Sequence, residues 1–319
     1  MKRRDFLKTT GAASLSVLAA GHFSSCDFSG SKQNLKSKVF MTKDISSRGL
    51  MALYKALEKP VSGKVALKLH MGEPGNINYL RPEIVRDLCM DVKAVLVDCN
   101  VYYGGQRATT EGHLEVARNH GYTFAPVDIL DSEGEVRFPI QGGKQLKEAI
   151  FGSHITNYDW IISIAHFKGH AMAGYGGTFK NLAIGLASIA GKGAIHSNGP
   201  GSDQWSCTGR PFLEKIIEYN KCLLELRGEK MIYFNVLNNL STSCDCDANA
   251  PHPSIPDIGM MASTDPVALD KASLDQIYAR PASERKDLVA QIESCNGGFQ
   301  VIYAEELGLG SQQYELITL

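Results

Sequence analysis

The sequence predicts an α/β fold: a largely parallel sheet with helices on both faces, a three-layer arrangement built as a single large domain. Short runs at 65–69, 94–97 and 231–236, and another opening at Trp160, are apolar at nearly every position. Strands buried on both faces read this way. Helical patterns alternate with them at 50–58, 81–92, 111–120, 144–151, 212–226 and 265–278, the order that produces βαβ units. Each apolar run then switches to polar residues, and ligands of open α/β sheets bind at the carboxyl ends of the strands.

The chain opens with Arg3-Arg4, then Phe6, Leu7 and Lys8, and a weakly apolar run at 11–20. This predicts a twin-arginine-type export signal over 1–25 and delivery to the periplasm or cell envelope. The apolar run is shorter than the ~20 residues a membrane span needs, so membrane attachment is expected only through the signal or a lipid anchor. Phe23-Ser24-Ser25-Cys26 resembles a lipoprotein cleavage box, with Phe23 where Leu is usual. Cys26 is the candidate lipid anchor; the alternative is a free cysteine in a linker. Residues 26–38, rich in Ser, Gly and Lys, read as a tether, and 39–319 as the α/β domain. The export route resembles one that carries proteins already folded, often with a metal or redox cofactor inserted, so a cofactor is expected.

With 319 residues, 44% of them hydrophobic, the chain can bury a full core. Without 1–25, its 33 basic residues fall by four to 29 and its 34 acidic ones by one to 33, a net charge of −4. Neither that balance nor any interleaving of basic and aromatic residues suits a nucleic-acid partner.

Within the helices, Pro82 takes a first-turn position, and Asp265 is a natural N-cap with Pro266 at N1. The glycine-rich turn GYGGTFKN at 174–181 runs into an apolar helical stretch at 182–189. Backbone N–H groups there, at Gly176 and Gly177, suit an anion, with Thr178 adding a hydroxyl and Lys180 a point charge. The alternative is a tight turn that lets helix and strand approach closely. The segment is not of the Walker type, because the glycines at 169 and 174 are followed by Tyr-Gly. Residues 199–206 read as a long surface loop.

The strand ends carry the chemistry. His70 follows the first run, Asp98 and Asn100 the second, and His166, Lys168 and His170 the third; the fourth ends near Asn238 and runs on to Cys244 and Cys246. His166, His170 and His196 suffice for a metal site if they converge. Lys168 and Lys192 beside them favour the rival reading, in which an anionic substrate binds and the histidines act as acid or base; satisfied structural histidines are the third. His166, Lys168, His170 and His196 are the catalytic candidates. His113 falls on a helix face, where packing or capping explains it.

In SCDCDAN, Cys244 and Cys246 stand one residue apart, with Asp245, Asp247 and His252 nearby. Thiolates directed into one loop suit zinc or iron. The alternatives are a disulfide to Cys207, Cys222 or Cys295 in an oxidising space, and unpaired loop thiols. Cys89, Cys99 and Cys222 read as small core hydrophobes.

The segments KLHMGEPGN, VDCNVYYGGQR, HFKGHAMAGYGGTFKNLAIGLAS, GKGAIHS, CDCDAN and IPDIGMMASTDPVALDKASLD occur in this order from about residue 65. Together they resemble the iron-sulfur centre protein family also called domain of unknown function 362. The resemblance implies an α/β fold and a role in redox or metal biochemistry. The positions it carries over are Lys68, His70, Asp98, Asn100, His166, Lys168, His170, Lys180, Asn181, His196, Cys244, Cys246 and Asp257. Many relatives are similar but bear a ferredoxin-like module with C-x-x-C-x-x-C runs where this chain has 198–211, with Cys207 as its one cysteine. A four-iron cluster therefore does not follow.

The sequence thus leads to an exported α/β protein with a strand-end cleft. A metal ion (iron or zinc) or an iron-sulfur centre is expected there on Cys244, Cys246, His252 and Asp257. Lys68, His70, Asp98, Asn100, Gly176, Gly177, Thr178, Lys180 and Asn181 are expected to hold a small-molecule ligand, read as anionic. An oxidoreductase-related role would add a redox partner; the alternative is an envelope protein that binds a small anion without catalysis.

Overall fold

The computed structural model describes residues 36–319 apart from 254. The export segment 1–25, Cys26 and the tether as far as 35 lie outside the described residues.

The strands are β1 Ser37–Thr42, β2 Val65–Lys68, β3 Val95–Asp98, β4 Val127–Ile129, β5 Glu135–Pro139, β6 Glu148–Gly152, β7 Trp160–His166, β8 Lys168–His170, β9 Gly174–Gly176, β10 Met231–Leu237, β11 Gly259–Ser263 and β12 Tyr314–Thr318. Eight of them form one sheet in the order β12-β1-β11-β10-β7-β2-β3-β4. Five neighbouring pairs are parallel, and only β11 runs against its neighbours β1 and β10. β5 with β6 and β8 with β9 make two small antiparallel ribbons.

The helices are α1 Ser47–Ala56, α2 Pro82–Asp91, α3 Thr110–Asn119, α4 Thr178–Leu186, α5 Ile189–His196, α6 Gly209–Arg227, α7 Pro266–Tyr278, α8 Ala282–Ser294 and α9 Phe299–Glu306. β7 is buried at every position, and its side chains alternate between two cores, as the two-residue period of a strand requires. Ile162 and Ile164 join Leu67, Leu96 and Phe234 in the core closed by Leu53 of α1, Leu88 of α2 and Ala117 of α3. Ile161 joins Ala66, Val97 and Tyr233 in the core closed by Leu182 of α4, Ile216 of α6, Ala268 of α7 and Val301 of α9. This is the expected three-layer α/β fold. Lys36–Leu319 forms one compact unit, and no helix of the described residues is long and apolar enough to cross a membrane.

Local signals hold where a side chain completes them: α2 starts at Pro82, and Asp265 caps α7 by accepting the N–H groups of Val267 and Ala268. The expected helix at 144–151 is instead a turn followed by β6. Residues 148–152 pair antiparallel with β5, which takes the backbone groups a helix would use. Glu218 of α6 holds the preceding turn by accepting the N–H groups of Lys144, Gln145 and Leu146, and Ala149, Ile150 and Phe151 turn inward. The stretch 182–189 also breaks in two, because Ser188 accepts the Gly191 N–H and starts α5 anew.

Candidate functional site

Because β2, β3, β7 and β10 are parallel, their carboxyl ends meet at one edge of the sheet, as the switch-point rule expects. A cavity of about 140 Å³ lies there. Lys68, His70, Asp98, His166, Lys168, His170, Gly176, Gly177, Lys180, Asn181, His196 and Cys246 all line it. Two of the expected ligand-binding residues do not. Asn100 gives its amide to Thr110, and Thr178, fully buried, gives its hydroxyl to Asn235.

One wall is a closed ion network. Lys68 at the end of β2 reaches Asp98 at the end of β3 at 3.2 Å, and also bonds Asn181 at 3.1 Å. Arg107 grips the other Asp98 oxygen at 2.9 Å and Glu73 at 2.8 Å, and gives its Nε–H to His113. Gly185 makes room for Lys68: a Cβ there would lie 2.0 Å from the lysine Cε. Burial pulls the Lys68 ammonium down to about 8 against the attraction of Asp98. Burial alone would raise the Asp98 carboxyl, but Lys68, His113 and Arg107 outweigh it and hold the carboxyl well below the usual range. Two donors, the Gly72 N–H and Arg107, face the two ring nitrogens of His70, and a neutral imidazole accepts from only one of them.

The opposite wall centres on Asp245, which accepts from His166 Nδ1 at 2.9 Å and from Lys168 Nζ at 2.7 Å. The Asn238 carbonyl takes His166 Nε2 at 2.6 Å, so this histidine has no free nitrogen either. Burial opposes the charge of Lys168, and Asp245 overcomes it, holding the ammonium above its usual value. Beside this pair, ligand atoms of His170, Cys244 and Cys246 lie within 4.8 Å of one another, a group that could hold a metal ion. A hydrogen bond with Cys246, assisted by Lys180 and Lys168 against burial, depresses the Cys244 thiol well below its usual value; the same bond and burial push Cys246 well above it. The two thiols titrate as a pair, with Lys180 and Lys168 favouring its anionic form. Lys180 Nζ lies 3.6 Å from its sulfur.

Two histidines keep a nitrogen free of protein partners. His170 accepts the N–H groups of Met172 and Ala173 at Nδ1, so the neutral ring carries its proton on Nε2; to hold a metal through Nε2 the ring would have to move that proton to Nδ1 and give up those two bonds. His196 bonds the Lys192 carbonyl through Nδ1 at 2.8 Å, which fixes the tautomer and leaves Nε2 as an acceptor. Burial lowers its pKa to about 4, so the ring is neutral at pH 7.

The remaining expectations change. The N–H groups that open α4 do not await a ligand, because Asp270 of α7 accepts those of Thr178 at 2.9 Å and Phe179 at 3.4 Å. Gly176 and Gly177 border the cavity, but the anion at this helix start is the protein's own. His252 and Asp257 stay outside the convergent group, which takes His170 instead. Both are exposed, and Asp257 accepts the Asn239 N–H. The seven cysteines of the described residues are free, which sets aside a disulfide from Cys244 or Cys246 to Cys207, Cys222 or Cys295.

Sequence reasoning missed Arg107, Glu73, Asp245 as the central acceptor, and the aromatic side chains Tyr102 and Trp205, both of which line the cavity. The C-x-C spacing was the one signal that reached Asp245. Arg107 closes a loop rather than a strand, so no strand-end rule finds it.

A family model described as "Domain of unknown function (DUF362)" matches residues 65–275. Among solved structures, the chain is similar to the lactate racemase apoprotein from Thermoanaerobacterium thermosaccharolyticum, at 12% identity and TM-score 0.43, over 75% of this chain and 56% of that one. It is also similar to a protein from Thermotoga maritima at 11% identity and TM-score 0.39, over 82% of this chain and 58% of that one. The chain thus spans less than two thirds of either structure. No curated protein matches it.

Proposed function

The chain belongs to the domain-of-unknown-function 362 family, and on that premise we propose that it is a metalloprotein whose strand-end cleft acts on a small anion, in an oxidoreductase-related role with a redox partner. The observation that carries this reading is the convergence of His170, Cys244 and Cys246 within 4.8 Å. Two thiolates with an imidazole suit zinc or iron. They fit a single ion better than an iron-sulfur cluster, which takes about four cysteines. A bound metal would supply Lewis-acid chemistry as zinc, or an exchangeable electron as iron.

The chain's own residues supply the rest. Lys180 and Lys192 face the cavity without a carboxylate partner among the described residues, their ammonium groups touching only the Cys244 sulfur and the Ala187 carbonyl. They hold the anion. Lys168, fixed by Asp245, adds positive field, and His196 Nε2 receives a proton.

Metal analysis with an absorption spectrum on anaerobically purified protein tests this, beside Cys244→Ser/Cys246→Ser. Stoichiometric metal in the parent that is lost in the double variant is the expected result, and a metal-free parent sinks the metal centre. The unpartnered Lys180 and Lys192 favour a second reading, an anion-binding protein without catalysis. It predicts saturable thermal stabilisation with no turnover.

We further place this function in the cell envelope on the strength of Arg3-Arg4 and the apolar run behind them. Arg3→Lys/Arg4→Lys should then leave the protein in the cytosolic fraction, and unchanged fractionation would remove the export assignment.

A further inference from the structure

We infer that the anion this cleft accepts is a small aromatic carboxylate. The inference rests on the anion site of the proposed function and adds the class of ligand. Beside Lys192 the cavity is walled by three rings. Tyr102 stacks on His196 with centroids 6.3 Å apart, and Trp205 stands edge-on to both, at 5.4 Å from Tyr102 and 4.9 Å from His196. All three line the cavity. Trp205 remains 41% exposed, so its own core does not account for it. It sits on the loop before α6, held by the bond of Gln204 to the Tyr102 carbonyl.

Charge and shape agree. Lys180 and Lys192 line the same cavity as Tyr102, His196 and Trp205, which brings the two ammonium groups and the aromatic wall to one small ligand. The remaining surface between them includes Ile184 and Val101, apolar ground that a strongly hydrated inorganic anion would leave unused. The volume of about 140 Å³ is close to the ~150 Å³ of a cavity that takes one benzene. A single ring fits against the wall, edge or face to Trp205 as aromatic pairs prefer, with its carboxylate on the lysines.

Calorimetric titration of the protein as purified with benzoate, cyclohexanecarboxylate, benzyl alcohol and inorganic phosphate tests the inference, with tryptophan fluorescence followed in parallel. The chain has two tryptophans, and Trp160, at the opposite end of β7 from His166, supplies a constant background. Benzoate is expected to bind about tenfold more tightly than cyclohexanecarboxylate or benzyl alcohol and to quench the fluorescence. Trp205→Leu, at an exposed loop position, should weaken benzoate about tenfold and leave cyclohexanecarboxylate unchanged. Equal binding of the two carboxylates, tighter binding of phosphate, no binding of benzoate, or an unaltered benzoate affinity in Trp205→Leu would each overturn it. Metal content measured in the same samples separates the two ideas. Metal present without benzoate preference removes this inference alone, and benzoate preference without metal removes only the metal centre.

Discussion

The two walls of the cleft both carry buried cations, yet they differ in how those charges are satisfied. On the Lys68 side every charge meets an opposite one: Lys68 and Arg107 against Asp98, and Arg107 again against Glu73. On the Lys180 side, Asp245 serves Lys168 and His166, while Lys180 and Lys192 rest on a sulfur and a backbone carbonyl. Buried charges that are fully paired hold a structure in one arrangement; charges left open at a cavity are those a ligand can complete. On the proposed reading, the first wall is scaffold and the second is site.

The largest test of this contrast is Arg107→Met. It leaves buried Glu73 without a cation and Asp98 with Lys68 alone, and should destabilise the protein by about 3 kcal/mol, read as a lower denaturant midpoint. A loss no larger than that of an exposed substitution would erase the distinction between the walls.

Next in size is a pH effect at His196. Its folded pKa of about 4 lies below the ordinary ~6.5, so the unfolded chain binds the proton more readily, and stability present above about 6.5 is lost as pH falls toward 4. Between pH 7 and 5 this amounts to about 2 kcal/mol, and His196→Gln should flatten the profile by that amount. An unchanged slope in the variant would show that His196 takes up its proton as readily in the folded protein as in the unfolded chain.

Asp270→Asn should cost about 1 kcal/mol, because the carboxylate at the start of α4 is replaced by a neutral acceptor. A bound anion appearing there in the variant would restore the reading of this turn as a ligand cradle. Smallest on stability is Lys180→Met, within about 0.5 kcal/mol, while the thermal shift produced by benzoate should disappear. A stability loss matching that of Arg107→Met would make Lys180 part of the scaffold.

Much of the fold was legible because it is written in local pattern. The apolar runs at 65–69, 94–97 and 231–236 become β2, β3 and β10, and Pro82 and Asp265 mark the helix starts they were expected to mark. The helix expected at 144–151 failed because 148–152 pairs as a strand with β5, and the turn before it is held by Glu218, about seventy positions away. The same reach explains the site. Asp245 was visible between two cysteines, but its bonds run to His166 and Lys168, 79 and 77 positions off. Likewise, Asp270 fills a helix start 92 positions earlier.

The sequence by itself determined which residue types stand at the strand ends, since an apolar run that stops at a polar residue is a local fact fixed by burial and backbone period. Tertiary structure alone decided which of them are free to act. It closed His166 with acceptors on both nitrogens, left Nε2 of His196 open as an acceptor, and exchanged His252 and Asp257 for His170 beside the cysteine pair. The reason is physical: a hydrogen bond or ion pair is set by distance in space, and parallel strands bring together residues that the chain keeps far apart.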